Sequence, residues 1–202
     1  MPLAPSSRPA LVQMRIASPL GDMRLAASAA GLAGIWFDGQ RHQPTDRLDG
    51  PGAWQHDPSH PVLVATASQL REYLEGRRSR FDVPLDLTVG TAFQRDVWQA
   101  LVEIPHGAVT SYAALARALG RPLAVRAVGA AVGRNPVSVI VPCHRVLGSD
   151  GTLTGYAGGL PRKTALLRLE GALADRLRTL PLWPQGDATA RGTGAPRTGA
   201  AA

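Results

Sequence analysis

Cys143 is the only cysteine in this chain of 202 residues, and His144 and Arg145 follow it directly. A thiolate is a strong nucleophile, and a nearby imidazole or cation makes it accessible at neutral pH. Nucleophilic attack by sulfur is therefore the chemistry these three residue types allow. The competing reading is a small core hydrophobe, the usual role of a lone buried cysteine. The neighbours weigh against it: His144 adjacent, Arg145 adding positive charge, and a Gly-rich stretch at 148–159 just beyond. On an extended strand, consecutive side chains point to opposite faces. A directly paired Cys143–His144 dyad is thus poor geometry, whereas a water-bridged contact in a turn remains open. One cysteine closes no intramolecular disulfide, which excludes a stapled secreted fold and points to a reducing compartment. A Cys-rich structural zinc site is excluded as well. His56 and His60 have i, i+4 spacing, but Pro58 stands between them and the segment does not read as a helix. No metal and no other cofactor is expected.

The elements that must position these residues fall into two groups. Residues 1–10, rich in Pro and Ser, read as a disordered start. Residues 11–16, 23–26 and 31–37 read as strands, the first two joined by a hairpin-type connection at Pro19, Leu20, Gly21 and Asp22. Residues 38–60 read as a loop. Residues 61–75 carry Val62, Leu63, Leu70, Tyr73 and Leu74 at helical spacing, with Gly76 as a stop. Residues 81–87 return to an extended pattern, which completes a small α+β domain at 11–88.

A second domain is expected at 89–175. Thr91 and Gln94 form a capping-box pattern before a helix with Phe93, Val97, Trp98 and Leu101 on one side. Ser111 can cap a short helix at 112–119, and Pro122 is expected in the first turn of the next, which runs to about 133. Two short helices joined through Gly120, Arg121 and Pro122 look like a helix-turn-helix. The second is nearly all small residues, interrupted by Arg126, and small side chains let a backbone approach a groove closely. Residues 137–141 read as a short buried strand running into Pro142 and Cys143. A last helix is expected at 162–170, ending at Gly171. Residues 184–202 read as a disordered, weakly basic tail.

The formal charge is +7 and the sequence pI about 10.9. That balance suits a polyanionic partner, since each phosphate neutralised releases counterions; a merely solvated basic surface is the alternative. No run of about 18 apolar residues suggests a membrane span, and no basic segment followed by an apolar stretch suggests a secretory signal.

Asn135 and Pro136, followed by Ile140, Val141, Pro142, Cys143, His144, Arg145 and Val146, resemble the active-site signature of the O6-alkylguanine-DNA alkyltransferases, also called methylated-DNA–protein-cysteine methyltransferases. Further matching pieces come in the family's order. They are Phe93 with Val97 and Trp98; Gly107 with Thr110, Ser111 and Tyr112; Arg126 to Gly129; Gly155 to Gly159; and Leu166, Leu167, Glu170 and Gly171. The close match covers about residues 91–171, and six ordered pieces over that span are very specific.

The resemblance implies a ribonuclease-H-like first domain and a winged-helix-like second domain. It implies direct-reversal DNA repair: one alkyl group moves, once per chain, from O6-alkylguanine, and from O4-alkylthymine, to Cys143 after base flipping. By resemblance His144 is the base acting through a water, Glu170 orients its imidazole, and Asn135 fixes the turn that presents the cysteine. Tyr112 donates a hydrogen bond to the guanine, and Arg126 fills the gap left by the flipped base. Arg145, Val146, Tyr156, Ala157 and Gly158 are expected at the base or the DNA, with the backbone of Val146 and of the 156–159 loop lining the base pocket. Ala113, Arg121 and Ser149 fall where the family meets the DNA backbone. Some relatives hold a structural zinc in the first domain with cysteines and histidines, which a single cysteine precludes. The partner implied is double-stranded DNA bearing O6-alkylguanine, met by a cytoplasmic monomer able to cluster on DNA, with no membrane involved. Two other readings compete. An alkyltransferase-like protein that flags damage without chemistry lacks the cysteine that this chain has. A Cys-His hydrolase would need deacylation and turnover.

Overall fold

The computed structural model describes residues 11–173, so the expected disordered start and tail lie outside the described residues. The first half is built on a four-stranded sheet in the order β3-β2-β1-β4. Strands β1 (Val12–Ile16), β2 (Met23–Ser28) and β3 (Gly31–Phe37) form an antiparallel meander, while β4 (Gln55–His56) runs parallel to β1. Strand β3 is buried along its whole length, because both faces of the sheet are covered. Leu63, Leu70 and Tyr73 of the helix Pro61–Leu74 join Leu25, Ile35 and Phe37 in the main core. Trp36, Ala26 and Leu48, with Trp54 packed on them, form a smaller cluster.

The stretch 38–60 is more ordered than a loop. It holds one helical turn, α1 (Thr45–Leu48), and then β4, after which the helix Pro61–Leu74 is α2. The cause is the buried Gln13, whose Nε2 donates to the carbonyls of Leu48 (3.0 Å) and Trp54 (2.9 Å). A polar residue inside a strand thereby ties the connection back to the sheet. Residues 81–87, expected to be extended, meet β3 through a bridge between Leu85 and Leu32.

In the second half, α3 (Ala92–Val102) begins with the expected capping box: Thr91 Oγ1 accepts from Gln94 N, and Gln94 Oε1 accepts from Thr91 N. A short strand β5 (Thr110–Ser111) leads into α4 (Tyr112–Ala118), capped by Ser111. Helix α5 (Val125–Gly133) starts later than expected. Pro122 lies in a turn closed by Ala124 N on the carbonyl of Arg121, a place that suits the fixed φ of proline. Strand β6 (Val146–Leu147) pairs in parallel with β5, and α6 (Leu160–Leu169) closes the domain. The strand expected at 137–141 does not form. Val137 makes one bridge to Ile35, and a turn follows in which Val139 has φ of 74°, which no continuing strand could accept.

That bridge also joins the halves. Ile35 N donates to the carbonyl of Pro136 at 2.8 Å, and Ser138 N donates to the carbonyl of Ile35 at 3.0 Å. The outer edge of β3 is thus covered by the segment that leads to the cysteine, and one apolar core runs through both halves.

Candidate active site

Cys143 opens a 3-10 turn, Cys143–Arg145, rather than ending a strand. Asn135, 4% exposed, holds this turn. Its Nδ2 donates to the carbonyls of Val141 (2.8 Å) and Val137 (3.3 Å) and lies 3.1 Å from Cys143 Sγ, while its Oδ1 accepts from Val137 N. One amide therefore closes the loop and faces the sulfur. Val139 keeps its left-handed φ inside that loop, a conformation that is an outlier for a β-branched residue and persists only where its surroundings hold it.

His144 is fully buried, and its Nε2 pairs with Glu170 Oε1 at 2.7 Å. Its Nδ1 is buried without a partner among the described residues. Glu170, the residue after α6, gathers further donors. Arg145 reaches it with Nε at 2.9 Å and Nη2 at 3.0 Å, Gly107 N reaches it at 3.3 Å, and the Tyr73 hydroxyl donates to Oε1. Burial alone would push the Glu170 pKa up. The His144 and Arg145 hydrogen bonds and charges outweigh it and hold the carboxyl far below the usual range. Burial pushes His144 down against the upward pull of Glu170, so the imidazole is neutral at neutral pH and able to accept a proton. Burial pushes the Cys143 thiol up, against the amide of Asn135 and the charge of Lys163, so the resting sulfur holds its proton.

Lys163 plays a part that the sequence reading missed. It is fully buried, its Nζ donating to the carbonyls of Val146 (2.6 Å) and Thr154 (2.7 Å), and burial lowers its pKa to about 8. The chain's only lysine, within a helix otherwise served by arginines, was the one signal that could have marked it.

Arg145 departs from its expected place at the DNA. It is 7% exposed, and its guanidinium is spent on Glu170 and on the carbonyl of Ile104. Its positive charge therefore serves the carboxylate. Val146 is buried in β6, and its carbonyl is the one that Lys163 holds. Tyr112 begins α4 half-buried, its hydroxyl 3.3 Å from the carbonyl of Gly155. Ala113 follows on the same helix. Arg126 on α5, Arg121 before it and Ser149 in the turn after β6 are all exposed, and Arg121 lies over the Phe93 ring at 5.1 Å. Tyr156 is buried, and Gly158 is packed so tightly that a Cβ would come within 2.8 Å of the Tyr156 ring and 3.0 Å of Phe37. Tyr156, Ala157 and Gly158 border a cleft of about 480 Å³ shared with Gly39, Gln40 and Arg41. Cys143 does not border that cleft. Among the described residues no group of three or more His, Cys, Asp or Glu could hold a metal ion.

The geometry thus brings together Cys143, Asn135, His144 and Glu170, adds Arg145, Lys163 and Tyr73, and leaves Arg121, Arg126 and Ser149 on the outside. Two family models match the chain. Residues 11–87 match the ribonuclease-like domain, and residues 92–172 the DNA binding domain, of 6-O-methylguanine DNA methyltransferase. The chain is 44% identical over 165 residues to a Mycobacterium bovis methylated-DNA–protein-cysteine methyltransferase, covering 82% of this chain and 95% of the relative. It is 45% identical over 148 residues to the inducible enzyme of that name from Bacillus subtilis, covering 70% and 82%. The crystal structure of Mycobacterium tuberculosis OGT in complex with DNA superposes with a TM-score of 0.70 at 44% identity, covering 79% of this chain and 92% of that one.

Proposed function

From the premise that this chain belongs to the 6-O-methylguanine DNA methyltransferase family, we propose that Cys143 is its alkyl acceptor, with His144 as base and Glu170 as the carboxylate that orients it. The protein is a methylated-DNA–protein-cysteine methyltransferase that repairs DNA by moving the alkyl group of O6-alkylguanine to a cysteine. The observation that carries the residue assignment is a sole, buried thiol on the Asn135 amide, followed in the chain by an imidazole whose Nε2 is committed to Glu170 and whose Nδ1 has no partner among the described residues.

In this reading the thiol proton passes through a water to His144 Nδ1. The sulfur then bonds to the alkyl carbon as the carbon–O6 bond breaks. The bonding pair stays on O6, and a proton from water, balancing the one His144 took from the thiol, restores the base as guanine within its strand. Asn135 presents the sulfur, and Tyr112 donates its hydroxyl to the base. A thioether is a poor leaving group, and the chain has no second cysteine to take the alkyl group away, so each chain acts once.

A thiol only 4% exposed cannot reach a base inside a stacked duplex. The lesion is therefore flipped out, and Arg126, exposed on the second helix of the helix-turn-helix, occupies the gap. Ala113, Arg121 and Ser149 meet the DNA backbone. O4-alkylthymine, which offers the same alkyl–oxygen bond, is a second substrate. Its place is the cytoplasm, where the acceptor thiol stays reduced, and it acts as a monomer able to cluster on DNA.

The test is mass spectrometry after mixing with a duplex containing O6-methylguanine. One methyl on Cys143 per chain, and none in Cys143→Ser, is the expected result. Repeated turnover by limiting protein, or methyl on another residue, would overturn it.

A further inference from the structure

Tyr73 belongs to α2 of the first domain, 97 residues before Glu170, yet its hydroxyl donates to Glu170 Oε1. The side chain is 1% exposed. Phe81 packs on its ring at 5.0 Å, and His106 meets it edge-on at 6.0 Å. The same Oε1 also takes His144 Nε2 at 2.7 Å and Arg145 Nη2 at 3.0 Å. A carboxylate oxygen offers about two lone-pair directions, so three donors share it. What Tyr73 takes from that oxygen is not left for His144.

We propose that Tyr73 is a positioning residue for alkyl transfer: by sharing Glu170 Oε1 with His144 it sets the basicity of the imidazole, and so the pH range in which His144 accepts the Cys143 proton. The proposal rests on the alkyl-transfer reading above. Tyr73 keeps its own proton throughout. The other groups facing the relay are Cys143 and Arg145 in its own turn, Lys163 from α6 and Glu170 just after it, Tyr156 beside Cys143 and Tyr73, and His106 behind Tyr73. A consequence is that the second domain does not hold a complete relay by itself, since the hydroxyl comes from the first.

The sign follows from competition for Oε1. Without the hydroxyl, Glu170 accepts more strongly from His144 Nε2, and the protonated imidazole is favoured. The acid limb of the transfer rate moves to higher pH. The worth of one net hydrogen bond sets the shift at roughly half a unit to one unit.

The experiment is the single-turnover rate of the full chain with O6-benzylguanine against pH, with the free base used so that DNA binding does not contribute. The proteins are wild type, Tyr73→Phe, His144→Ala and the double variant. The acid limb should move up in Tyr73→Phe, and adding Tyr73→Phe to His144→Ala should change nothing further. A Tyr73→Phe profile superimposed on wild type overturns the proposal, as does an equal fold-loss in both backgrounds, which would mark Tyr73 as support for the fold alone. If Tyr73→Phe does not fold, 3-fluorotyrosine placed at 73 keeps the shape and strengthens the donor. The limb should then move down, and an unmoved limb overturns the proposal. A wild type that takes no methyl group from an O6-methylguanine duplex either overturns the alkyl-transfer reading as well.

Discussion

At the scale of single residues, the resting site holds its protons on the sulfur and keeps the imidazole neutral, both because of burial. His144→Ala should therefore lose about 10²- to 10⁴-fold in single-turnover rate at neutral pH, the usual worth of a positioned base. The loss should shrink as pH rises, because hydroxide then makes the thiolate unaided. A His144→Ala profile parallel to wild type at every pH would remove His144 from the mechanism. Glu170 has two duties, since it also neutralises the buried guanidinium of Arg145. Glu170→Gln should cost about 3–5 kcal/mol of unfolding free energy near pH 7, measured by denaturant, because it leaves Arg145 uncompensated. The folded pKa of Glu170 is depressed, so its contribution is full above the unfolded value of about 4.3 and is lost as pH falls through the folded value. The stability gap between wild type and Glu170→Gln should accordingly narrow in acid. A gap that stays constant down to acid unfolding would show that the charge on Glu170 is not what stabilises the fold.

At the scale of elements, helix α5 and the cap of α3 invite separate tests. Arg126 lies exposed on α5. Arg126→Ala should slow repair of a base-paired lesion far more than attack on free O6-benzylguanine, because filling the gap offsets an unstacking cost of a few kcal/mol. An equal loss on both substrates would place Arg126 in the pocket or the fold instead. Thr91 is the reverse case: its capping box starts α3, whose Val97, Trp98 and Leu101 reach the core, but it touches none of the chemistry. Thr91→Ala should cost roughly 1 kcal/mol in chemical denaturation. The transfer rate at a temperature where the variant is folded should be unchanged, and a slowed rate would tie α3 to the site.

At the scale of the whole molecule, the +7 charge and the exposed Arg121 and Arg126 favour binding through phosphates with little sequence preference. The logarithm of the DNA binding constant should fall linearly with the logarithm of salt concentration, each neutralised phosphate contributing a slope of about −0.9 on duplex. A salt-independent constant, or strong dependence on the bases flanking the lesion, would argue for base readout instead. The two halves are joined at two places that bear on the site. Covering the edge of β3 with residues 136–138 fixes the entry to the cysteine turn, and Tyr73 reaches from α2 into the relay.

Much of this was legible in the sequence because it depends on local rules. The three strands of the meander, the capping boundaries of α3 and α4, and the glycine stops after α2, α4 and α6 follow from turn chemistry and periodicity over a few residues. Cys143, His144, Asn135 and Glu170 could be named from residue type and order along the chain. What only the tertiary structure decided are contacts between distant segments. Gln13 ordered the stretch 38–60 from a strand that looked unremarkable, and residues 137–141 gave up a strand because Asn135 closes them into a loop. Arg145, which sequence placed at the DNA, turned inward because a buried carboxylate needs a cation more than the surface does. Lys163 and Tyr73 carry no local mark of function. Each acquires one only through packing, where removal from water makes every donor on a shared carbonyl or carboxylate count.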